Sequence, residues 1–208
     1  MSDHNPISTA TPTEPKLRWE WRSFEYKPHL WQEAMAGSVR TTPLVMTSEI
    51  YLPTRRSPCN VKIRHELLDV KQLRTTDAAG LELWEPTLKC GFPLPPETLD
   101  ALCHDWQCLR PDTVPSLPTP EHLLSFISRS LPDVRIVPLR KWRRRIRLAD
   151  CDGERVTILI EGRLLESLSL EHQDPAVLLA ALKALRLDQE ENTNYLRAIK
   201  GVLGWLDT

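Results

Sequence analysis

The segment 139–171 constrains the fold of this chain more than any other stretch. It begins with the run Arg-Lys-Trp-Arg-Arg-Arg-Ile-Arg at positions 140–147, turns at Asp150–Gly153, and returns through residues 154–160. A second turn at Glu161–Gly162 leads into the remaining residues. Strand-like runs separated by such turn residues predict a β-meander.

The arginine-rich run divides between the two faces of the predicted strand, because successive side chains of a strand point in opposite directions. A row of cations inside a fold is unfavourable unless an anionic group lies opposite it. The run therefore predicts either a polyanionic ligand or a solvated nucleic-acid surface. One face carries Lys141, Arg143, Arg145 and Arg147, and the other carries Trp142, Arg144 and Ile146.

Charge and hydropathy limit the class of protein. The 208 residues include 27 basic and 28 acidic side chains, so any positive field that attracts a polyanion must be local. No apolar run approaches the ~20 residues of a membrane helix. The N-terminus lacks the charged segment followed by an apolar segment that is typical of a signal peptide. We therefore expect a cytoplasmic protein without membrane contact. Residues 1–15 are predicted to form a disordered tail, and residues 16–208 a single domain.

The five cysteines do not indicate a cross-linked or zinc-bound protein. Their number is odd and no two have the CxxC spacing. Disulfide frameworks and zinc sites show paired spacings. Reduced structural thiols are expected instead.

Charged residues alternate with apolar ones in several other predicted strands. Two kinds of sheet would account for this pattern. An antiparallel sheet can turn its polar face to water, or a barrel can enclose it. Several apolar residues on the opposite strand face favour the barrel, because they could pack beneath helices. These residues are Trp19, Trp21, Val61, Ile63, Trp142 and Ile146.

The order of these motifs resembles the CYTH, or triphosphate tunnel metalloenzyme, superfamily, whose members include triphosphatases and class IV adenylyl cyclases. The resemblance spans about Leu17 to Leu206, and each motif is short. It is based on Lys62-Ile-Arg64, Asp69-Val-Lys71, the strand Leu81 to Lys89, Arg143-Arg-Arg145, Glu154 and Ser169-Leu-Glu171 followed by a helix.

The resemblance implies an α+β fold, in which an antiparallel eight-stranded β-tunnel, closed or nearly closed, has helices packed outside. It also implies a phosphate-rich ligand and Mg²⁺ or Mn²⁺. Glu20, Glu154 and Glu171 are then the candidate catalytic residues and metal ligands, with Glu82 or Glu85 as a further carboxylate. Candidate phosphate-binding residues are Arg22, Lys62, Arg64, Lys71, Lys89, Arg143, Arg145 and Arg147.

One position departs from the family pattern. The first strand of the family begins with alternating Glu, Glu and Lys, whereas the matching residues here are Arg18, Glu20 and Arg22.

The alternating cations and carboxylates predict a metal-dependent phosphohydrolase acting on inorganic, nucleoside or organic triphosphates. The alternative is a catalytically weak polyphosphate- or nucleotide-binding module of the same fold. A nucleic-acid-binding protein is the less favoured third reading. A homodimer is possible, and Lys200 is expected on an exposed helix face.

Overall fold

The alternating segments form β-strands, and the proline-initiated segments form helices, in a computed structural model that describes residues 17–24, 40–148 and 150–206. The predicted tail lies outside these residues. The strands are β1 (Arg18–Phe24), β2 (Arg40–Thr41), β3 (Val45–Tyr51), β4 (Asn60–Arg64), β5 (Leu67–Thr76), β6 (Glu82–Cys90), β7 (Val137–Leu148), β8 (Cys151–Ile160) and β9 (Arg163–His172). The helices are α1 (Pro96–Trp106), α2 (Pro120–Ser130), α3 (Pro175–Ala184) and α4 (Tyr195–Val202).

The strands close into an antiparallel barrel. Their order is β7-β3-β4-β5-β6-β1-β9-β8, and β8 pairs again with β7 to complete the ring. The short strand β2 pairs with the same edge of β7 as β3 does, so it extends β3 after a break. The predicted eight-stranded antiparallel barrel with helices is confirmed.

The predicted meander is formed by β7, β8 and β9. Asp150 turns the chain between β7 and β8 with a φ of 67°, and Glu161–Gly162 turns it between β8 and β9 with φ values of 47° and 77°. Gly153 was predicted to lie in the first turn, but it lies within β8, opposite Ile146 and Leu170. A Cβ atom at this position would collide with the backbone carbonyl oxygen of Ser169, so the close packing of β8 on β9 requires glycine.

Helices cover two regions of the outer barrel surface. Val61 and Ile63 pack in a buried cluster with residues of α1 and α2, and Trp21 packs in a second cluster with residues of α3. Outward-facing apolar residues buried in this way stabilise the fold by roughly 1.5–3 kcal/mol each. Trp142 differs, because it is only half-buried and lies beside Thr41 and Arg144 on the barrel surface.

The interior of the barrel is apolar at one end and charged at the other. Inward-facing Leu139, Val156 and Ile158 form a buried cluster with Tyr195 and Ile199 of α4, which therefore closes the apolar end. The charged side chains of the same strands lie towards the other end. Within the described ranges, no helix has the length and apolar character needed to cross a membrane.

Candidate functional site

The charged end of the barrel contains a cavity of about 510 Å³. Eight cationic side chains and five carboxylates line it, which leaves an excess of three formal positive charges. A low-dielectric wall strengthens such a field and attracts anions. The cations are Arg18, Arg22, Lys62, Arg64, Lys71, Lys141, Arg143 and Arg145, and the carboxylates are Glu20, Glu49, Asp152, Glu154 and Glu171.

Lys141 lies at the inner end of the cavity. Its Nζ donates hydrogen bonds to Glu49 Oε2 at 2.8 Å and to the Tyr51 hydroxyl at 2.9 Å. The same atom lies 3.8 Å from the centre of the Tyr195 ring, a cation–π distance. β7 and β3 place Lys141 and Glu49 inward by alternation, and α4 supplies Tyr195 from the closed end.

Burial and charge perturb both members of the Lys141–Glu49 pair. Burial lowers the pKa of Lys141 to about 7, against the attraction of Glu49. Burial alone would raise the pKa of Glu49, but Lys62 and Lys141 outweigh it and lower that pKa to about 2. Glu49 is therefore ionised at neutral pH, and Lys141 changes charge close to neutral pH.

Arg22 is the most connected cation of the cavity. Its guanidinium donates to Glu20 at 3.2 Å, to Glu154 at 3.2 Å and to the Ser167 hydroxyl at 3.0 Å. It also lies 4.3 Å from the centre of the Tyr195 ring. Burial would lower the pKa of Arg22, yet Tyr195 and the two carboxylates outweigh this effect and raise it. Arg22 thus remains a permanent buried positive charge.

Glu154 lies between two cations on the cavity wall. Its side chain accepts from Arg22 and lies 3.8 Å from Arg143. Burial would raise the pKa of Glu154, but Arg22, Lys141 and Arg143 outweigh it and lower the pKa. Glu154 is therefore held ionised, which suits it to orient cations rather than to accept a proton at neutral pH.

Three carboxylates that line the cavity lie directly opposite one another on adjacent strands near its mouth: Glu20 on β1, Glu171 on β9 and Asp152 on β8. We call this set the carboxylate row. Like charges at such spacing repel. Burial and the charge of Glu20 accordingly raise the pKa of Glu171, although Arg18 opposes the shift.

The guanidinium of Arg18 bridges the outer part of the carboxylate row. Its Nη1 atom lies 2.8 Å from Glu171 Oε1 and 3.1 Å from Asp152 Oδ2. All three side chains are partly exposed, at 36–49% of their surface. They therefore lie where a ligand would enter the cavity.

Several buried polar atoms of the cavity residues have no hydrogen-bond partner in the described part of the chain. They are Glu49 Oε1, Asn60 Oδ1 and the Tyr195 hydroxyl oxygen. Buried polar groups are normally satisfied. A polar ligand or water in the cavity would complete their bonding.

Nine of the eleven predicted site residues line the cavity, and two lie elsewhere. Lys89 is opposite Asp69 near the end of β6, where its side chain is exposed to solvent. Arg147 is exposed at the barrel rim and pairs with Asp152 at 2.8 Å. The catalytic and metal roles of the nine remain predictions. Lys200 was expected to be exposed, but it is buried and donates to the Arg55 and Ser57 carbonyls at 2.9 Å.

Six cavity residues with charged or phenolic side chains were not among the predicted site residues. Lys141 had a usable signal, because it shares the strand face of Arg143 and Arg145. The sequence distinguishes Arg18 only as a departure from the family pattern. Glu49, Tyr51, Asp152 and Tyr195 had no distinctive local signal.

The predicted metal ligands are paired with arginines in this structure. Within residues 17–24, 40–148 and 150–206, no three His, Cys, Asp or Glu side chains converge closely enough to hold an ion. Glu20 and Glu154 are engaged by Arg22, and Glu171 by Arg18. A divalent cation would bind through the carboxylate oxygens, and arginine guanidinium groups contact those oxygens here.

Comparisons with solved structures show that two Pyrococcus proteins share the fold of this chain. The PH1012 protein of Pyrococcus horikoshii has a TM-score of 0.53 and 14% identity, covering 88% of this chain and 99% of that one. A conserved hypothetical protein of Pyrococcus furiosus has a TM-score of 0.51 and 13% identity, covering 86% and 98%. HpAC1 from Hippeastrum, described as having a dominant triphosphatase activity, has a TM-score of 0.46 and 10% identity, covering 91% and 96%.

No protein-family model matches the sequence, and no curated protein matches it. The structural likenesses, together with the closed barrel and its charged interior, confirm the predicted resemblance to the triphosphate tunnel fold. The chain thus shares the closed antiparallel barrel fold of the two Pyrococcus proteins. Identities of 13–14% leave the activity to be argued from the cavity itself.

Proposed function

We propose that the cavity binds a triphosphate group, as inorganic triphosphate or as part of a nucleoside or organic triphosphate, and hydrolyses its terminal phosphate. The single observation that supports this most is the excess of cations over carboxylates in the cavity inside the barrel. A triphosphate carries on the order of four negative charges at neutral pH. It would therefore neutralise the excess that the protein leaves uncompensated.

The arrangement of cations suits a chain of phosphates rather than one isolated anion. Lys141 and Arg22 are at the inner end, Arg143 is beside Glu154, and Arg145 is exposed towards the mouth. Arginine binds phosphate oxygens bidentately, and lysine binds them as a point charge. The partnerless Tyr195 hydroxyl offers a further donor at the inner end.

Hydrolysis requires water to attack the terminal phosphorus while the bond to the bridging oxygen breaks. Glu171 is our candidate proton acceptor for that water, because its pKa is raised and its side chain is accessible at the mouth. The products are inorganic phosphate and the shortened diphosphate. The cations stabilise the negative charge that develops on the diphosphate leaving group.

Mg²⁺ or Mn²⁺ enters the proposal as the counter-ion that accompanies triphosphates in solution. None of the carboxylates lining the cavity is assigned to hold it, since arginines engage the predicted ligands. The proposed partner is therefore a phosphate-rich small molecule with its cation. The homodimer remains a prediction.

The test is phosphate release from inorganic triphosphate, ATP and diphosphate, with Mg²⁺, with Mn²⁺ and with a chelator. We expect release from the triphosphates, with a loss of at least about tenfold in Arg143→Ala, which removes a charge-assisted hydrogen bond. Arg144→Ala is the matched control, because Arg144 is the next residue of the same strand and lies on the outer surface. No release from any triphosphate would overturn the hydrolase.

A binding module without turnover is the second candidate, and the Arg18 contacts favour it. Arg18 holds Glu171 and Asp152 together, and an ion-paired carboxylate accepts a proton less readily. Calorimetry would then show triphosphate binding while the release assay shows no product. Glu171→Gln separates the two candidates, because it lowers turnover in the hydrolase and leaves binding nearly unchanged in both.

A further inference from the structure

The carboxylate row has the composition of a cation site. Glu20, Glu171 and Asp152 are direct cross-strand neighbours, and all three line the cavity. Opposed side chains in antiparallel strands have Cβ atoms roughly 5 Å apart. In the described part of the chain the three carboxylates do not converge on one point, so an ion would require their side chains to rotate towards each other. Carboxylate oxygens are the ligands that Mg²⁺ and Mn²⁺ prefer.

The cations that the row contacts in this structure belong to the protein, and one of them is Arg147, which pairs with Asp152 at 2.8 Å. Arg18 bridges Glu171 and Asp152 through one guanidinium nitrogen, at 2.8 and 3.1 Å. Glu20, the third member, pairs with Arg22 at 3.2 Å. Each of the three carboxylates therefore already has a positively charged partner.

We propose that Arg18 is a built-in counter-ion that takes the place of a divalent metal at the carboxylate row. The row of the natural protein then does not bind Mn²⁺ in the absence of phosphate, and removing the Arg18 charge creates a Mn²⁺ site. A second consequence, which rests on the proposed function, is that the cavity binds triphosphate with little dependence on divalent cation.

Arg18 is well placed for this role because it is fixed at its backbone and held at its tip. Its backbone is part of β1 opposite Trp84, and its guanidinium ends between two strands that follow β1 around the barrel. A guanidinium group carries its positive charge in proteins. The positive charge at the row is therefore permanent, unlike that of an exchangeable ion.

The experiment titrates Mn²⁺ alone into the full chain and measures free Mn²⁺ by electron paramagnetic resonance. The variants are Arg18→Ala and Arg18→Glu, the second of which restores a carboxylate at this position. Arg155→Ala is the matched control, because Arg155 also pairs with a carboxylate, Glu166 at 2.9 Å, outside the cavity.

We expect one Mn²⁺ per chain in both Arg18 variants, at least tenfold tighter than in the natural protein or in Arg155→Ala. Adding Asp152→Asn to Arg18→Ala should abolish the new site. Equal Mn²⁺ binding by the natural protein and Arg18→Ala would overturn the proposal, as would the absence of binding in both folded Arg18 variants. Circular dichroism checks folding, and the exposed position of Arg18 makes its loss tolerable.

A parallel calorimetric titration with inorganic triphosphate, with and without a chelator, keeps the two proposals distinguishable. If no protein binds triphosphate but the Arg18 variants gain Mn²⁺, the proposed function fails and the counter-ion role stands. If triphosphate binds the natural protein only with Mn²⁺, the second consequence is wrong. Equal binding under both conditions supports it.

Discussion

Lys141 should make triphosphate affinity depend on pH in a way that a single substitution removes. Its pKa of about 7 arises from burial, against the attraction of Glu49. By the tenfold change in protonation ratio per pH unit, Lys141 is about 90% charged at pH 6 and about 10% charged at pH 8. The groups that face it are Glu49 and Tyr51 of β3, Lys62 of β4, Glu154 of β8 and Tyr195 of α4.

The size of the effect follows from the charged fraction. If only the protonated form of Lys141 binds the phosphates well, the apparent affinity scales with that fraction. The association constant should then fall about ninefold between pH 6 and pH 8 through this residue alone. Triphosphate itself gains negative charge over the same range, so the effect must be measured against a variant that lacks the lysine.

Calorimetric titration at pH 6, 7 and 8 in natural protein and in Lys141→Met isolates the contribution. The ratio of affinities at pH 6 and pH 8 should be about ninefold larger in the natural protein than in the variant. The Lys62 ammonium group lies 3.5 Å from the Glu49 carboxylate. The negative charge of Glu49 therefore still has a partner in the variant. Equal ratios in the two proteins would refute the assignment of Lys141 to phosphate binding.

Three stability predictions follow from the same structure. Arg22→Ala should lower the free energy of unfolding in urea by about 3 kcal/mol, because Glu20 loses its partner and Glu154 keeps only Arg143, at 3.8 Å. Gly153→Ala should cost about 1–3 kcal/mol in thermal melting, since the new Cβ meets the Ser169 carbonyl, whereas Gly91→Ala meets only an ordinary side-chain contact and should be nearly neutral. Because the folded pKa of Lys141 is below its unfolded value of 10.5, the unfolded chain binds more protons between pH 7 and 10. The unfolding free energy should therefore rise with pH in that window, by at most about 1.4 kcal/mol per unit, and the rise should be smaller in Lys141→Met.

Local patterns predicted much of the barrel. The meander follows from alternation and from turn residues that lie within a few positions of each other, and the confirmed strands β7 to β9 have these properties. Alternation also identified the inward face that carries Arg143 and Arg145. These features depend on neighbours in the sequence.

Alternation gives the face of a strand but not the depth of a residue along the barrel. Arg147 shares the face of Arg145, yet it lies at the rim and pairs with Asp152 in solvent. Lys141 shares the same face and lies at the inner end. The difference depends on where α4 closes the barrel, and that helix is more than 40 residues further along the chain.

The contacts of Arg18 could also not be predicted from its neighbours in the sequence. Its partners are separated from it by 134 and 153 positions, and they meet it because β1 pairs with β9 and β9 with β8. A sequence reading could note that a cation replaced the expected carboxylate. It could not place that cation between two other carboxylates.

The most direct test of the central claim is a calorimetric titration of inorganic triphosphate into the natural protein, Arg143→Ala and Arg144→Ala at neutral pH. The cavity predicts saturable binding of one triphosphate per chain, weakened at least about tenfold in Arg143→Ala and unchanged in Arg144→Ala. Absence of saturable binding, or an equal loss in both variants, would contradict the assignment of the barrel interior as a triphosphate site.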